Sequence, residues 1–210
     1  PGNRLLARSP RFRLEAEIIR DASLQAAGVL SSRMGGPPVR PLQPDGITEA
    51  AFGRPKWKTS TGEDRYRRSL YTYQKRTAPF AMFTTFDGPT GEACIARRDV
   101  SNTALQALTL LNDVMFIDVA RQFGRRLVEA NGSDDELVLD TFRRVLTRPP
   151  APDELKLLTQ FVTAQRQRIA TGELDAQAIS GSETNDNKEH AVWTLLARAL
   201  MSVDEALTRN

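Results

Sequence analysis

The chain of 210 residues contains one cysteine, Cys94, and one histidine, His190. A lone cysteine excludes an internal disulfide framework and a cysteine-rich zinc site, and a lone imidazole argues against a metal centre. The sequence predicts Cys94 as a small buried thiol, and His190 as a surface or satisfied residue near the start of the last helix. No stretch approaches the roughly 18 consecutive apolar residues of a membrane span. The first residues show neither a basic nor an apolar leader region and no initiating Met, so the chain reads as a piece of something longer. Apolar residues at 40% and charged residues at 26% exclude a disordered chain. At this length folding buries roughly 70% of the unfolded surface, so the expectation is one domain over 1–210 with one sizeable core.

The net charge of +3 is unevenly spread. From Arg54 to Arg76 eight basic residues stand against Glu63 and Asp64, a local +6 that leaves the rest at −3. Trp57, Tyr66, Tyr71 and Tyr73 are interleaved with these cations, a composition suited to an anionic group, a sugar ring or a base. A solvated loop of arginines paired with nearby carboxylates is the plainer account. RPKWK and RYRR suggest nucleic acid, but the modest net charge and the lack of a recognisable helix-turn-helix or single-strand module argue against it.

Periodicity predicts a first helix over 10–30, capped by Ser9 and Pro10, with Leu14, Ile18, Ala22, Gln25 and Val29 on one stripe and Ile19 and Ala26 beside it. Gly35 to Pro38 stop it. From 31 to 100 no 3.6-residue period is evident, and SLYTY and FAMFTTF have the composition of short strands. A segment this long inside a domain is expected to be ordered, wrapped on the helices and functional.

The part from 101 to 210 reads as helical. Thr103 and Gln106 are spaced as a capping box, followed by Leu105, Leu108 and Leu111 or Leu110 facing the core. Asn112 and Asp113 hand over to a helix burying Phe116, Ile117, Ala120, Phe123 and Leu127, which stops at Asn131 and Gly132. Ser133 and Glu136 form a second capping box for a helix that breaks before Pro149 and Pro150. Pro152, Asp153 and Glu154 open the next, ending near Gly172; 180–187 is a loop; a last helix carries Val192, Leu195, Leu196, Ala199, Leu200 and Val203. The expected fold is mainly α, a helical bundle or antiparallel helical array with a long ordered loop segment and a few short strands.

The order RRSLYT, KRT, FD-P, E-C, RR, NT-LQAL, LLND and then F-R-L-R-PP--DEL resembles the planctomycete-type C-terminal domain of unknown function, number fifteen fifty-three, over nearly the whole chain. RLEAEIIRDASLQAAG, Arg13 to Gly28, fits the helix opening that family's domain. The resemblance implies the last module of a large exported bacterial protein with a c-type cytochrome-like domain, hence a periplasmic or otherwise extracytoplasmic address. It implies haem in the parent protein and no cofactor here, since the chain has no C-x-x-C-H. It transfers no catalytic residue. Gly91 stands where the family has Arg, Ala104 and Val114 where it favours Pro, Thr147 where it has Gly at a helix end, and ALMSVDEAL departs from its closing motif.

The candidate binding residues are Arg67, Arg68, Tyr71, Asp87, Glu92, Arg97 and Arg98. The four arginines could form a fork for sulfate, phosphate or carboxylate. Asp87 and Glu92, flanking a Gly-Pro turn, could serve as acid and base of a carbohydrate-active site. The competing account has each of these two acids capping the turn or pairing with Arg97 or Arg98. Together these point to an accessory interaction module, non-catalytic by itself, whose partners are other domains of the parent protein or an anionic polysaccharide.

Overall fold

The computed structural model describes residues 11–48, 56–182 and 187–209. Its centre is a helix of 187–201, α8, that buries residues on nearly every side: Ala191, Val192, Trp193, Thr194, Leu196, Ala197, Leu200 and Met201. The other helices are, in chain order, α1 (Ala16–Ala27), the short α2 (Ala81–Thr85), α3 (Ala104–Asn112), α4 (Val114–Ala130), α5 (Asp134–Leu146) and α6 (Pro152–Ala170), with the short α7 (Ala176–Ser180) before α8 and α9 (Asp204–Leu207) after it. Helix α4 makes the most intimate contact with α8. A Cβ added at Gly124 would lie 2.5 Å from Thr194 Oγ1 and 2.7 Å from its backbone nitrogen, so the glycine lets the two backbones approach. Phe116, Val119, Phe123 and Leu127 supply the apolar face of α4. The mainly α class is as expected.

Helix starts follow the local chemistry of the chain. Thr103 Oγ1 accepts from Gln106 N at 3.3 Å while Gln106 Oε1 accepts from Thr103 N at 3.1 Å, and Ser133 and Glu136 repeat the arrangement at α5. Glu154 accepts from Ala151 N at the start of α6. Asn131, in the left-handed region at φ +49, ends α4 as expected.

The first helix differs from expectation. Ser9 and Pro10 lie outside the described residues, but Phe12–Arg13 form a strand, β1, antiparallel to Thr208–Arg209, β2, and the helix begins only at Ala16. Its buried residues are Ala16, Ile19, Arg20, Ser23, Leu24, Ala26 and Ala27: Ile19 and Ala26, expected beside the stripe, are inside, but the stripe itself is turned outward, with Ile18 47% exposed and Gln25 exposed. The cause is Arg20, fully buried, which occupies an inward position that apolar periodicity assigns to solvent.

The segment 31–100 also differs. SLYTY contains a single 3₁₀ turn, Ser69–Tyr71, and FAMFTTF is the helix α2. Phe80, Phe83 and Phe86 recur every three residues and all are buried, so this run carried a helical period. In α3, Leu105, Leu108 and Leu111 are 61%, 55% and 37% exposed, while Gln106 and Leu110 are buried. The helix is rolled by the hydrogen bonds of Gln106, which hold an amide inward at the expense of three leucines.

Candidate functional site

Asp87 sits at the base of the 88–100 segment with φ +60, a left-handed conformation that aspartate tolerates better than most residues. Its carboxylate accepts from Ser101 N at 2.8 Å and Ser101 Oγ at 2.7 Å, with Gln106 Nε2 at 3.4 Å and Arg13 Nη1 at 3.9 Å. Burial pushes this carboxyl up, but the Ser101 hydrogen bonds, Arg13 and Gln106 together outweigh it and hold Asp87 below its ordinary value. The group is an ionised anchor with no proton to give at neutral pH. Arg13 also donates to the Ser101 carbonyl and, at 2.8 Å, to Gln106 Oε1, and lies 5.3 Å over the Phe86 ring. Gln106 completes the knot by donating to Thr85 O at 2.9 Å. β1, the end of α2 and the start of α3 are thus joined through one carboxylate.

Arg98 does not pair with Asp87. It forks onto Glu17 at 2.6 and 3.1 Å and reaches Glu15 at 3.3 Å, and the Glu17 hydrogen bonds raise its pKa. Asp87 thus takes the capping role of the two alternatives, accepting from Ser101 N, while its nearest cation is Arg13 on β1 and Arg98 is taken by Glu15 and Glu17 at the start of α1, which sequence proximity could not supply. Arg97 and Glu92 are exposed with no ionic partner among the described residues. Cys94 is exposed as well, against the expectation of a buried thiol, because no residue from 88 to 100 is buried. Between this segment and the start of α1 lies a cleft of about 660 Å³. Its apolar wall is Phe12, Ile18, Phe86, Ile95 and Val100, and its polar side includes Asp87, Arg97 and Arg98.

The arginines of the RRSLYT block take different paths. Arg67 is fully buried; it donates to the carbonyls of Pro37 at 3.1 Å, Arg33 at 3.4 Å and Gly35, and its guanidinium lies 3.8 Å from the centre of the Tyr71 ring. Tyr71 Oη accepts from Gly35 N at 2.8 Å. Beside it Arg20 donates to Arg67 O at 2.8 Å and Arg65 O at 3.0 Å, and burial lowers its pKa to about 10. Arg65 pairs with Asp118 at 2.9 Å, and Tyr66 Oη donates to the same carboxylate at 3.0 Å; burial, then Asp118, raise the phenol to about 12. Trp57 stacks on Phe80 with centroids 5.9 Å apart and donates to Pro41 O, and Tyr73 lies 4.2 Å under Arg40. These aromatics hold the wrapped segment together.

Of the seven candidates, the structure brings Asp87, Arg97 and Arg98 to one cleft and Arg68 with Arg98 to a neighbouring one of about 480 Å³. Arg67, Tyr71 and Glu92 line neither. Residues missed from the sequence are Arg13, Glu17, Ile18 and Gln106; only the capping role of Gln106 was visible there. Arg54, counted in the basic run, lies outside the described residues. His190 Nε2 is 2.7 Å from the Arg121 carbonyl, so it donates there. Among the described residues no helix is long and apolar enough to cross a membrane, and no three His, Cys, Asp or Glu side chains gather as for a metal ion.

The sequence profile of PSD1, a protein of unknown function (DUF1553), matches residues 1–162. The match covers more than half of the chain, so the chain belongs to that family. No curated protein and no solved structure matches it.

Proposed function

We propose that, as a member of this family of unknown function, the chain is a non-catalytic interaction module of a larger exported bacterial protein, and that the 88–100 segment with the cleft behind it is the surface on which a neighbouring domain of that protein docks. One observation carries the reading: thirteen consecutive residues are held in place by a carboxylate knot at Asp87 and an ionic latch at Arg98, yet none is buried. Anchoring a segment whose own side chains fill no core has a use if those side chains meet something else. Ile95 at 53% and Val100 at 68% exposure give that surface an apolar body, edged by the exposed charges of Glu92, Arg97 and Asp99, none of which has an ionic partner among the described residues. A neighbouring domain suits it better than an anionic polysaccharide, because Trp57, Tyr71 and Tyr73, the aromatics of the basic run, are engaged in internal packing.

Calorimetric titration of the chain with the remaining domains of its parent polypeptide, and with sulfated and neutral polysaccharides at two salt concentrations, tests the reading. Binding to the domains, weakened about tenfold or more by Ile95→Asp, is the expected result. Salt-sensitive binding to sulfated polysaccharide alone replaces the partner and restores the glycan; binding to none of them removes the proposal. The exported address is tested by the sequence upstream of Pro1, where an export signal and a C-x-x-C-H haem motif are expected.

A further inference from the structure

The 88–100 segment is joined to the rest of the chain very unevenly. Its two ends meet, because Asp87 Oδ2 accepts from Ser101 N at 2.8 Å, and beside that junction Gly88 N donates to Phe83 O at 2.7 Å. Gln74 Nε2 donates to Pro89 O at 3.3 Å. From Thr90 to Val100 every hydrogen bond or ion pair with the rest of the described chain is made by one residue, Arg98, on Glu17 and Glu15. Glu92 N donates to Thr90 Oγ1, within the segment itself. A surface loop whose ends are pinned together and whose body hangs on one partly exposed ion pair opens far more readily than the core does. What that ion pair separates gives the opening a use. The cleft of about 660 Å³ and its neighbour of about 480 Å³ share Glu15, Ile18, Pro89 and Arg98 in their walls, so they lie on either side of the same contact.

We infer that 88–100 is a strap, hinged where Asp87 meets Ser101 and latched by Arg98, which swings open to join the two hollows into one groove along the start of α1. The inference rests on the docking reading above: the groove receives an extended stretch of the neighbouring domain, and the strap closes over it. The chemistry of the uncovered floor defines that stretch. Glu15 and Glu17 lose their cation when Arg98 leaves, and Arg68, exposed in the smaller hollow, pairs with neither. Ile18 and Phe86 supply apolar surface beside the two carboxylates. The incoming stretch therefore carries an arginine or lysine next to an apolar side chain. In the free chain Arg98 holds the place of that cation.

Cys94, the chain's one cysteine, is exposed in the middle of the strap and takes a nitroxide spin label without an engineered site. Electron paramagnetic resonance line shapes are recorded for the wild type, Arg98→Gln, Glu17→Gln and the double variant, with circular dichroism to check that each is folded. Either single substitution should raise the mobile fraction of the label about fivefold, and the double variant should go no further. About 1 M salt, where the screening length is about 3 Å, should loosen the wild type in the same direction. Adding the remaining domains of the parent polypeptide to the labelled wild type should immobilise the label. Single variants with the wild-type line shape, a double variant more mobile than both, or a wild type unmoved by salt overturns the latch. Domains that bind in calorimetry and leave the label unchanged overturn the closing strap while docking stands. A strap that loosens in the variants of a chain that binds no domain overturns the docking reading alone.

Discussion

Thr147 closes α5 at φ +62, in the left-handed region, with its hydroxyl 2.7 Å from the Leu146 carbonyl. A β-branched residue there costs roughly 1–2 kcal/mol, partly offset by the extra unfolded-state entropy a glycine would bring. Thr147→Gly should therefore stabilise the chain by about 0.5–1 kcal/mol in urea denaturation. Arg67 makes the opposite case. Its planar guanidinium reaches three separate carbonyls of the 33–37 turn, a geometry an ammonium cannot reproduce. Arg67→Lys should cost about 2 kcal/mol or more, nearly as much as Arg67→Met, because buried acceptors are left unpaired in both. An Arg67→Lys variant as stable as wild type would show that charge alone matters at this position. The two buried arginines also mark where single-residue reading stops. RYRRSLYT stood out as a cluster of cations, but burial of Arg67 and pairing of Arg65 with Asp118 depend on residues 30 and 53 positions away in sequence.

At the level of elements, capping chemistry was legible because it is local. The pairs Thr103 with Gln106 and Ser133 with Glu136 each place a helix start to the residue. The roll of α1 and α3 was not legible, because in each a polar side chain, Arg20 or Gln106, takes an inward position through distant partners. The knot at Asp87 makes a pH prediction. Its folded pKa is lowered, so its stabilisation is present above the unfolded value, about 3.9, and is lost as pH falls through the folded one. Asp87→Asn, which tolerates the same backbone conformation, should destabilise the chain at pH 6 and progressively less towards pH 2.5. An equal cost at both pH values would mean that the carboxylate charge contributes nothing. The α4–α8 crossing gives a further test: Gly124→Ala should cost about 1–3 kcal/mol or more in the same denaturation measurement, since the added methyl meets the backbone and side chain of Thr194.

For the molecule as a whole, α8 at the centre and the helices around it build a scaffold, and the described parts of 31–100, residues 31–48 and 56–100, lie on it with arginine–carbonyl and arginine–tyrosine contacts. The sequence singled out Asp87, Arg97 and Arg98 in this part of the chain, though it missed the helical period of Phe80, Phe83 and Phe86 there. It could not show that Glu15 and Glu17 would take Arg98 from its expected partners, nor that Ile18 would turn outward to wall the cleft. What the scaffold leaves outside is the 88–100 segment, anchored at its base by Asp87 and near its end by Arg98. The most direct test of its role as a docking surface is a calorimetric titration of the chain, and of its Ile95→Asp and Arg97→Glu variants, with the remaining domains of the parent polypeptide. Wild-type binding that both variants weaken about tenfold or more is the predicted result; binding unchanged in both, or no binding by the wild type, contradicts it.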